Sequence, residues 1–483
     1  MSHLSNRHIA PPAARAKNAR RAGSAAVAGA GSSPHLPPKP AEMSWRDYLV
    51  MLLHVAGELE HSLMVEYLYS AYSMGGSGVG VHAGKVRGWQ DEMLTVAREE
   101  MGHLLSVQNA LLLLGAPVSF ERQDYPWSGP FNAFPFQLEP FSLTSLAKYL
   151  YSEMPDPESV KPPDRPIVER VEELVGAQAG VRVGQVYERV IALVEDRRRV
   201  PDSAFYPESY DIQMDWDEWG RSYRPESHKP YAKNPDVPPL HSRKTTVLVP
   251  KVATRTELAA ALRDIASQGE AEHLGLRVRA EPSHFDRFCG IFREYEVILK
   301  VHPDFVPAHR VPVNPVVGED EAYAPEGATP ITHRESCEWA GLFNIRYRML
   351  LTLLTYAVSG PRETPDLATV RRPTVISRIF GEMYNLKAIS GVLVRLPLGD
   401  PMLPARAGAP FQMPYTLVLP PEVPFWRTQL DLLDVSEGIV AELLARGPAL
   451  VDGDRYLRAL READAVARRW IEGILGKTGR GRS

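Results

Sequence analysis

Two short motifs of the form Glu-x-x-His limit most strongly what this chain can fold into. One joins Glu100 to His103 and the other joins Glu270 to His273. At about 100° per residue, three steps along a helix bring the two side chains of a motif to within about 60° of each other. A carboxylate and an imidazole on one inward face can hold a transition metal in a helical bundle. Either motif alone is weak evidence, because such pairs are common on solvated helices, but both lie in apolar stretches with helical spacing.

A dinuclear carboxylate site in a four-helix bundle needs two further carboxylates, one from each remaining helix. The predicted first helix, about residues 44–74, places Glu60 on its apolar stripe. Glu188, on the predicted third helix, is the candidate for the last position, although Glu172 or Glu173 could serve instead. The predicted metal ligands are therefore Glu60, Glu100, His103, Glu188, Glu270 and His273, with Glu100 and Glu270 bridging the two ions.

The donor set indicates which metal to expect. Carboxylate oxygens with one imidazole per ion suit Fe(II) or Mn(II) and leave coordination positions open. Zinc usually takes four ligands and fits a carboxylate-rich set less well. We therefore expect two iron ions per chain, with manganese as the alternative.

Residues beside these ligands are candidates for supporting roles. Tyr67 lies seven residues after Glu60 on the same stripe and is the candidate catalytic residue, which would hydrogen-bond a ligand or pass an electron. A tyrosine of the apolar core is the alternative. His284 either lines the pocket or caps the helix that follows. Four further acidic residues are expected to lie beside the ligands or on the surface: Glu58, Glu66, Glu99 and Glu272.

The composition predicts a mainly α-helical globular chain with long loop insertions. Of 483 residues, 44% are hydrophobic and 24% charged, which is enough apolar material for a large core. Residues 1–42 are rich in Ala, Pro, Gly, Ser and Arg and are predicted to be disordered. Residues 43–280 are predicted to form the metal-binding four-helix bundle, with insertions at 116–166 and 197–252. Residues 281–483 are predicted to form a helical region packed on that bundle.

Charge and cysteine content exclude several classes of protein. A net charge of −4 gives no reason to expect nucleic acid or an anionic membrane as a partner. Two cysteines cannot build a disulfide scaffold or a thiolate-rich metal site. The longest apolar run, residues 110–118, is too short to cross a bilayer. We expect a cytoplasmic protein whose oligomeric state is open, with a homo-oligomer among the options.

Several segments resemble the ferritin-like superfamily, and more narrowly the ferritin-like domain of iminophenyl-pyruvate dimer synthases and their shorter relatives. The resemblance extends patchily from about residue 45 to residue 430 and is strongest over the first two helices. The segments that carry it are Glu58-Leu59-Glu60-His61, Tyr67-Leu68-Tyr69, Ala97 to Leu104, Gly184 to Glu188, Gln268-Gly269-Glu270 and Ser283 to Phe288. The resemblance implies a four-helix bundle, a dinuclear metal and oxidative chemistry on a small molecule.

The resulting expectation is a diiron, dioxygen-dependent oxidase or oxygenase acting on an amino-acid-derived or aromatic molecule of secondary metabolism. The larger synthases of that family couple two aromatic amino-acid-derived imines, and this chain is much shorter than they are. The aromatic loops at 120–142 and 203–231 would cover the pocket. An iron-storage protein and a non-catalytic partner in a biosynthetic assembly are the alternatives, and the long loops and large C-terminal region disfavour storage.

Overall fold

The computed structural model describes residues 36–219, 247–269, 282–318, 324–359, 372–414, 417–419 and 422–480. These residues contain twelve α-helices and one two-stranded parallel sheet, so the prediction of a mainly α-helical fold is confirmed. The helices are α1 Trp45–Ser73, α2 Ala83–Leu113, α3 Leu143–Ser152, α4 Arg165–Val175, α5 Val183–Glu195, α6 Trp216–Trp219, α7 Arg255–Gly269, α8 His284–Val301, α9 Arg334–Ser359, α10 Arg372–Leu393, α11 Glu422–Arg446 and α12 Val451–Arg480. None of these helices is both long and apolar enough to cross a membrane.

Local sequence signals explain where α1 begins and ends. The Ser44 hydroxyl caps the helix by accepting a hydrogen bond of 3.0 Å from the backbone N–H of Asp47. Two glycines follow the helix, Gly75 and Gly76, with φ values of 120° and 87°. Such positive φ values are strained for residues with a Cβ, so this glycine pair turns the chain towards α2.

The pair formed by α1 and α2 is the centre of the N-terminal half, and two apolar cores cover it. The first half of α1 and the second half of α2 pack with α5 and α7. The second half of α1 and the first half of α2 pack with α3, α4 and α8. The two long helices therefore run antiparallel, and the middle of each lies between the two cores.

Helix α3 lies inside the predicted insertion at 116–166, and the structure makes that segment part of the bundle. Its Ser142–Ser145 capping box starts the helix, and Leu146, Ala147 and Leu150 are buried against α1 and α8. The predicted fourth bundle helix, α7, ends at Gly269 within the described residues. Both Glu270 and His273 lie outside the residues that the structure describes.

The C-terminal half contains α9 to α12, which pack on one another around Arg346. This guanidinium is fully buried and donates hydrogen bonds to Glu382 on α10, Ser436 on α11 and Asp464 on α12. One apolar core contains residues of α9–α12 together with Val65 of α1. Residues from Leu36 onward form one compact unit.

The sequence has few strand signals, at most the stretches 245–249 and 415–419, and the described parts of both, 247–249 and 417–419, are irregular. The observed strands are β1 (Pro315–Val317) and β2 (Thr329–Ile331). Segment 247–250 lies against α2 instead. Its carbonyl oxygens at 248 and 250 accept hydrogen bonds of 2.9 Å from Ser106 and Asn109, so they need no partner strand.

The contact between α2 and segment 247–250 is close enough to require glycine. A Cβ at Gly102 would lie 2.8 Å from the carbonyl oxygen of Leu248. Glycine therefore allows this approach between two backbones.

Candidate metal centre

Two groups of three buried side chains meet between the two N-terminal cores, and Glu100 belongs to both. One group is Glu60, Glu100 and His103, and the other is Glu100, Glu153 and His284. Within each group the candidate ligand atoms lie within 4.8 Å of one another. The five side chains come from the middle of α1, the middle of α2, the residue after α3 and the first residue of α8.

Glu100 connects the two groups through its two carboxylate oxygens. Its Oε2 lies 2.9 Å from Nδ1 of His103, and its Oε1 lies 2.9 Å from Nδ1 of His284. Oε2 of Glu60 lies 3.4 Å from the same Nδ1 of His103, and Oε2 of Glu153 lies 3.7 Å from Nδ1 of His284. Each imidazole therefore faces two carboxylates, one of which is shared.

Both imidazoles point the same ring nitrogen, Nδ1, at the carboxylates because a second acceptor holds the other one. Nε2 of His103 lies 2.9 Å from Oε1 of Gln268 on α7. Nε2 of His284 lies 3.0 Å from Oε2 of Glu99, a carboxylate that also faces Arg287 at 3.5 Å. When Nε2 carries the proton donated to such an acceptor, Nδ1 keeps its lone pair for a metal.

Two buried tyrosines hold the outer carboxylates. Tyr67 donates a hydrogen bond of 2.5 Å from its Oη to Oε1 of Glu153, and Tyr187 donates one to Oε1 of Glu60. Hydrogen bonds from fixed donors restrict how a carboxylate can turn, so each tyrosine orients one candidate ligand. Hydrogen-bonding a ligand is one of the roles that the sequence suggested for Tyr67.

The protons in this cluster occupy positions that a cation could take. Burial and the nearby charge of Glu100 raise the pKa of Glu60 to about 8. Burial alone would lower the pKa of His103, but Glu100 and Glu60 outweigh it and raise this pKa to about 10. Glu100 likewise raises the pKa of His284 well above its usual value. Burial would raise the pKa of Glu100 itself, but His284 and His103 hold it well below its usual value.

The residues present fit a dinuclear metal site. Counting partners among the described residues, Glu60 Oε2, Glu100 Oε1 and His284 Nδ1 are buried yet make no hydrogen bond of good geometry. Buried polar atoms are nearly always satisfied, so three such atoms within one cluster of carboxylates and imidazoles fit a group that could bind a cation. A void of about 20 Å³ adjoins Glu60, Glu100, His103 and Glu153. Carboxylate oxygens with one imidazole on either side of a shared Glu match iron or manganese better than a softer metal.

The structure brings together three of the six predicted ligands and corrects a fourth. Glu60, Glu100 and His103 meet as described above. Glu188 is exposed on α5, and its neighbour Tyr187 faces Glu60 instead. One residue on a helix is about 100° of rotation, so the two positions cannot share the inward face. A carboxylate that the sequence did not single out, Glu153, lies in the cluster beside His284.

Sequence reasoning did not find Glu153 and left His284 between two roles. Glu153 follows a short helix within what looked like an insertion, and no second ligand lies at helical spacing from it. Its only local signal is the apolar frame before it, Leu146 to Tyr151. Of the two roles considered for His284, the cap of α8 is Ser283 instead, whose hydroxyl accepts from the backbone N–H of Asp286. The imidazole of His284 faces Glu99, Glu100 and Glu153.

Comparison with known proteins defines the class. Residues 53–293 match the family model described as Ferritin-like, and this range includes all five clustered side chains. These residues therefore belong to the ferritin-like family.

Two curated relatives are biosynthetic enzymes. The chain is 31% identical over 143 residues to 2-imino-3-(indol-3-yl)propanoate dimerase of Chromobacterium violaceum, an alignment that covers 25% of this chain and 14% of that enzyme. It is 24% identical over 391 residues to dichlorochromopyrrolate synthase of Lentzea aerocolonigenes, covering 74% of this chain and 35% of that enzyme. The chain thus spans about a third or less of the length of these relatives.

A solved structure was also matched. The crystal structure of a ferritin-like protein from Caulobacter vibrioides aligns with 18% identity and a TM-score of 0.41, covering 73% of this chain and 98% of that one.

Proposed function

We propose that this chain binds two metal ions, iron in the first instance, and acts as a dioxygen-dependent oxidase or oxygenase on an amino-acid-derived or aromatic small molecule. The observation that carries the proposal is the position of Glu100, whose two oxygens each face an imidazole Nδ1 at 2.9 Å. A carboxylate shared in this way is how ferritin-like bundles join two ions.

The proposal assigns three side chains to each ion. Glu60, Glu100 and His103 would hold one, and Glu100, Glu153 and His284 would hold the other. Bound iron would supply the electrons for reducing dioxygen. The chain itself contributes fixed ligand orientation through Tyr67, Tyr187, Gln268 and Glu99, and two apolar cores that limit access of water.

The proposed substrate class rests on the relatives together with the aromatic side chains of one loop. The names of both relatives describe enzymes that make or join indole- or pyrrole-containing molecules. The described loop at 120–142 contributes Trp127 and Phe131, whose rings are not fully buried and suit a flat or apolar substrate, whereas Phe134 and Phe136 belong to the apolar cores. Dimerisation is not carried over, because the chain covers only part of either enzyme.

The second Glu-x-x-His motif, Glu270 with His273, remains a prediction from the sequence. His284 offers an alternative imidazole for the same ion. Parallel His273→Ala and His284→Ala variants separate the two, because the variant that lacks the true ligand should lose about one metal ion per chain and the other should keep both.

Metal analysis of the purified chain tests the dinuclear proposal. We expect about two iron or manganese ions per chain in the wild type. Glu100→Ala should remove both, because each ion loses a ligand. Glu169→Ala is the matched control, since Glu169 is an exposed carboxylate on α4. A wild-type protein without iron or manganese, or a Glu100→Ala variant with wild-type content, would overturn the proposal.

Oxygen uptake tests the catalytic part separately. The iron-loaded chain should consume dioxygen faster when an aromatic amino-acid-derived substrate is added, and Glu100→Ala should not. If the wild type binds two ions but uptake does not depend on any such substrate, the chain is a metal-binding protein and not this oxidase.

A further inference from the structure

A cavity of about 150 Å³ lies at the surface between α1 and segment 123–132, on a different side of α1 from the carboxylate cluster. Its apolar wall includes Leu59 of α1 with Trp127 and Phe131 of the facing segment. Cavities of about this size admit a benzene-sized ring. The outer cavity is therefore large enough for one aromatic group.

The facing wall is held in shape by the backbone. Trp127 and Phe136 exchange two backbone hydrogen bonds, of 3.1 Å and 2.7 Å. The Asn132 side chain accepts a third, of 3.0 Å, from the backbone N–H of Gly129. A wall fixed before binding needs little ordering when a ligand arrives, which favours affinity. Trp127 is nevertheless 45% exposed, so its ring is available to a ligand.

The polar lining of the cavity favours a ligand with a positively charged hydrogen-bond donor. Glu58 is its single charged side chain, and no Lys, Arg or His is among the described lining residues. Glu58 is half-buried and has no hydrogen bond or ion pair with the described residues. Burial, with a smaller contribution from Glu121, raises the pKa of Glu58, as expected for a carboxylate that is partly removed from water and faces another carboxylate.

A row of side chains leads from this cavity to the candidate metal centre. Val55, Leu59, Ser62 and Glu66 follow at i, i+4, i+7 and i+11 and share one face of α1. Leu59 and Ser62 line both the outer cavity and a void of about 10 Å³ that also adjoins Glu66. Leu63 then lines both this small void and the one at the carboxylate cluster.

We propose that the outer cavity binds an aromatic amine, with the ring against Trp127 and Phe131 and the ammonium or N–H group towards Glu58. An ammonium beside an aromatic face gains a cation–π contact as well as the carboxylate. The identification of this ligand as substrate rests on the proposed function, and Leu63 is then the side chain that separates it from the metal centre.

Binding of two matched probes tests the cavity directly. 2-Phenylethylamine and 3-phenylpropionate have the same ring and opposite charge, and isothermal titration of the full chain as purified gives both dissociation constants. We expect the amine to bind at least about tenfold more tightly than the acid. Glu58→Gln should reduce that preference to below about threefold, and Trp127→Ala should weaken both probes about tenfold.

Matched controls keep a folding defect apart from a lost site. Tyr384→Ala removes an exposed aromatic ring far along the chain, on α10, and Glu169→Gln removes an exposed carboxylate, so neither should change either constant. Trp127→Phe should retain most of the amine affinity. Equal binding of the two probes, or an unchanged preference in Glu58→Gln, overturns the proposal.

The metal content of the same samples separates the two proposals. A chain that binds the amine selectively but no iron or manganese disproves the proposed function alone. A chain that binds two metal ions but does not prefer the amine disproves the cavity assignment alone.

Discussion

The two halves of the molecule each bury a polar cluster built from four segments, and the clusters differ in charge balance. Around Arg346, one guanidinium faces the carboxylates of Asp464 and Glu382 and the hydroxyl of Ser436. Around Glu100, three carboxylates face two imidazoles. The first cluster has its cation within the chain and one buried donor without a hydrogen bond among the described residues, Nε of Arg346. The second has three such atoms, two of them carboxylate oxygens.

This difference separates a structural tie from a binding site. A buried charge without a partner is costly, so a cluster kept for structure should be complete within the protein. Arg346 meets that condition at both terminal nitrogens, which face two carboxylates, but not at Nε, which makes no hydrogen bond with the described residues. The Glu100 cluster retains three buried atoms without a good hydrogen bond among the described residues, which a metal would satisfy.

The largest effect that tests this comparison is expected from Arg346→Met. The substitution leaves Asp464 and Glu382 buried without their cation and should lower the free energy of unfolding by about 3–5 kcal/mol. Urea denaturation measures this free energy. The control is Arg461→Met, which breaks an exposed ion pair with Glu437 and should lower the free energy of unfolding by less than about 1 kcal/mol. Folded Arg346→Met should keep its metal, and a loss of metal without a loss of stability would contradict the comparison.

The next effect is a pH dependence limited to the Glu100 cluster. The folded pKa values of Glu60 and His103, about 8 and about 10, lie above their unfolded values of about 4.5 and 6.5. Their stabilising contributions are complete below those unfolded values and are lost as the pH rises through the folded ones. The lowered pKa of Glu100 makes the stability of the folded chain fall as the pH decreases, but only below about pH 4.5.

The melting temperature of metal-free protein should therefore fall between about pH 5 and pH 9. Metal binding displaces these protons and strengthens with pH, so the stabilisation by metal should grow over the same range. Thermal melts of metal-free and metal-loaded protein at several pH values measure both. A stabilisation by metal that shrinks as pH rises would contradict the assignment.

A smaller effect is expected from Tyr187→Phe. Loss of the hydroxyl frees Oε1 of Glu60 and should weaken metal binding about 10–100-fold without changing the number of ions at saturation. Competition with a chelator measures the affinity. An affinity equal to that of the wild type would show that Tyr187 fills the core without orienting the ligand.

The smallest effect is expected from Glu188→Gln, beside it on α5. Because Glu188 is exposed, metal content and affinity should stay at the wild-type level. Loss of metal in this variant would favour the ligand set expected from the sequence over the one that the structure shows.

The long helices and half of the candidate site could be predicted from the sequence. The expected range of α1, 44–74, differs from the observed helix by one residue at either end, because the Ser44 cap and the glycine pair are local signals. The Glu100–His103 pair needs only helical spacing. Glu60 is predicted as a ligand because it lies on the apolar stripe of α1.

The remaining ligands depend on information that the local pattern does not contain. Tyr187 and Glu188 are both in an apolar frame, and a phase difference of one residue decides which one faces inward. Glu153 approaches the site because α3 packs between α1 and α8, which is a tertiary contact from a segment that resembles a loop. The first turns of α11, from residue 422, likewise depend on packing of Phe425 and Trp426 in the C-terminal core.

Gly102 lies between Glu100 and His103. Because it has no side chain, the same four residues also record a packing requirement. The outer two positions report whether a protein can bind metal. The glycine reports whether a distant segment, 247–250, lies directly on the helix. A homologue with a bulkier residue there should keep its metal chemistry only if that segment has moved away, so this one position is a criterion for sorting such proteins into subgroups.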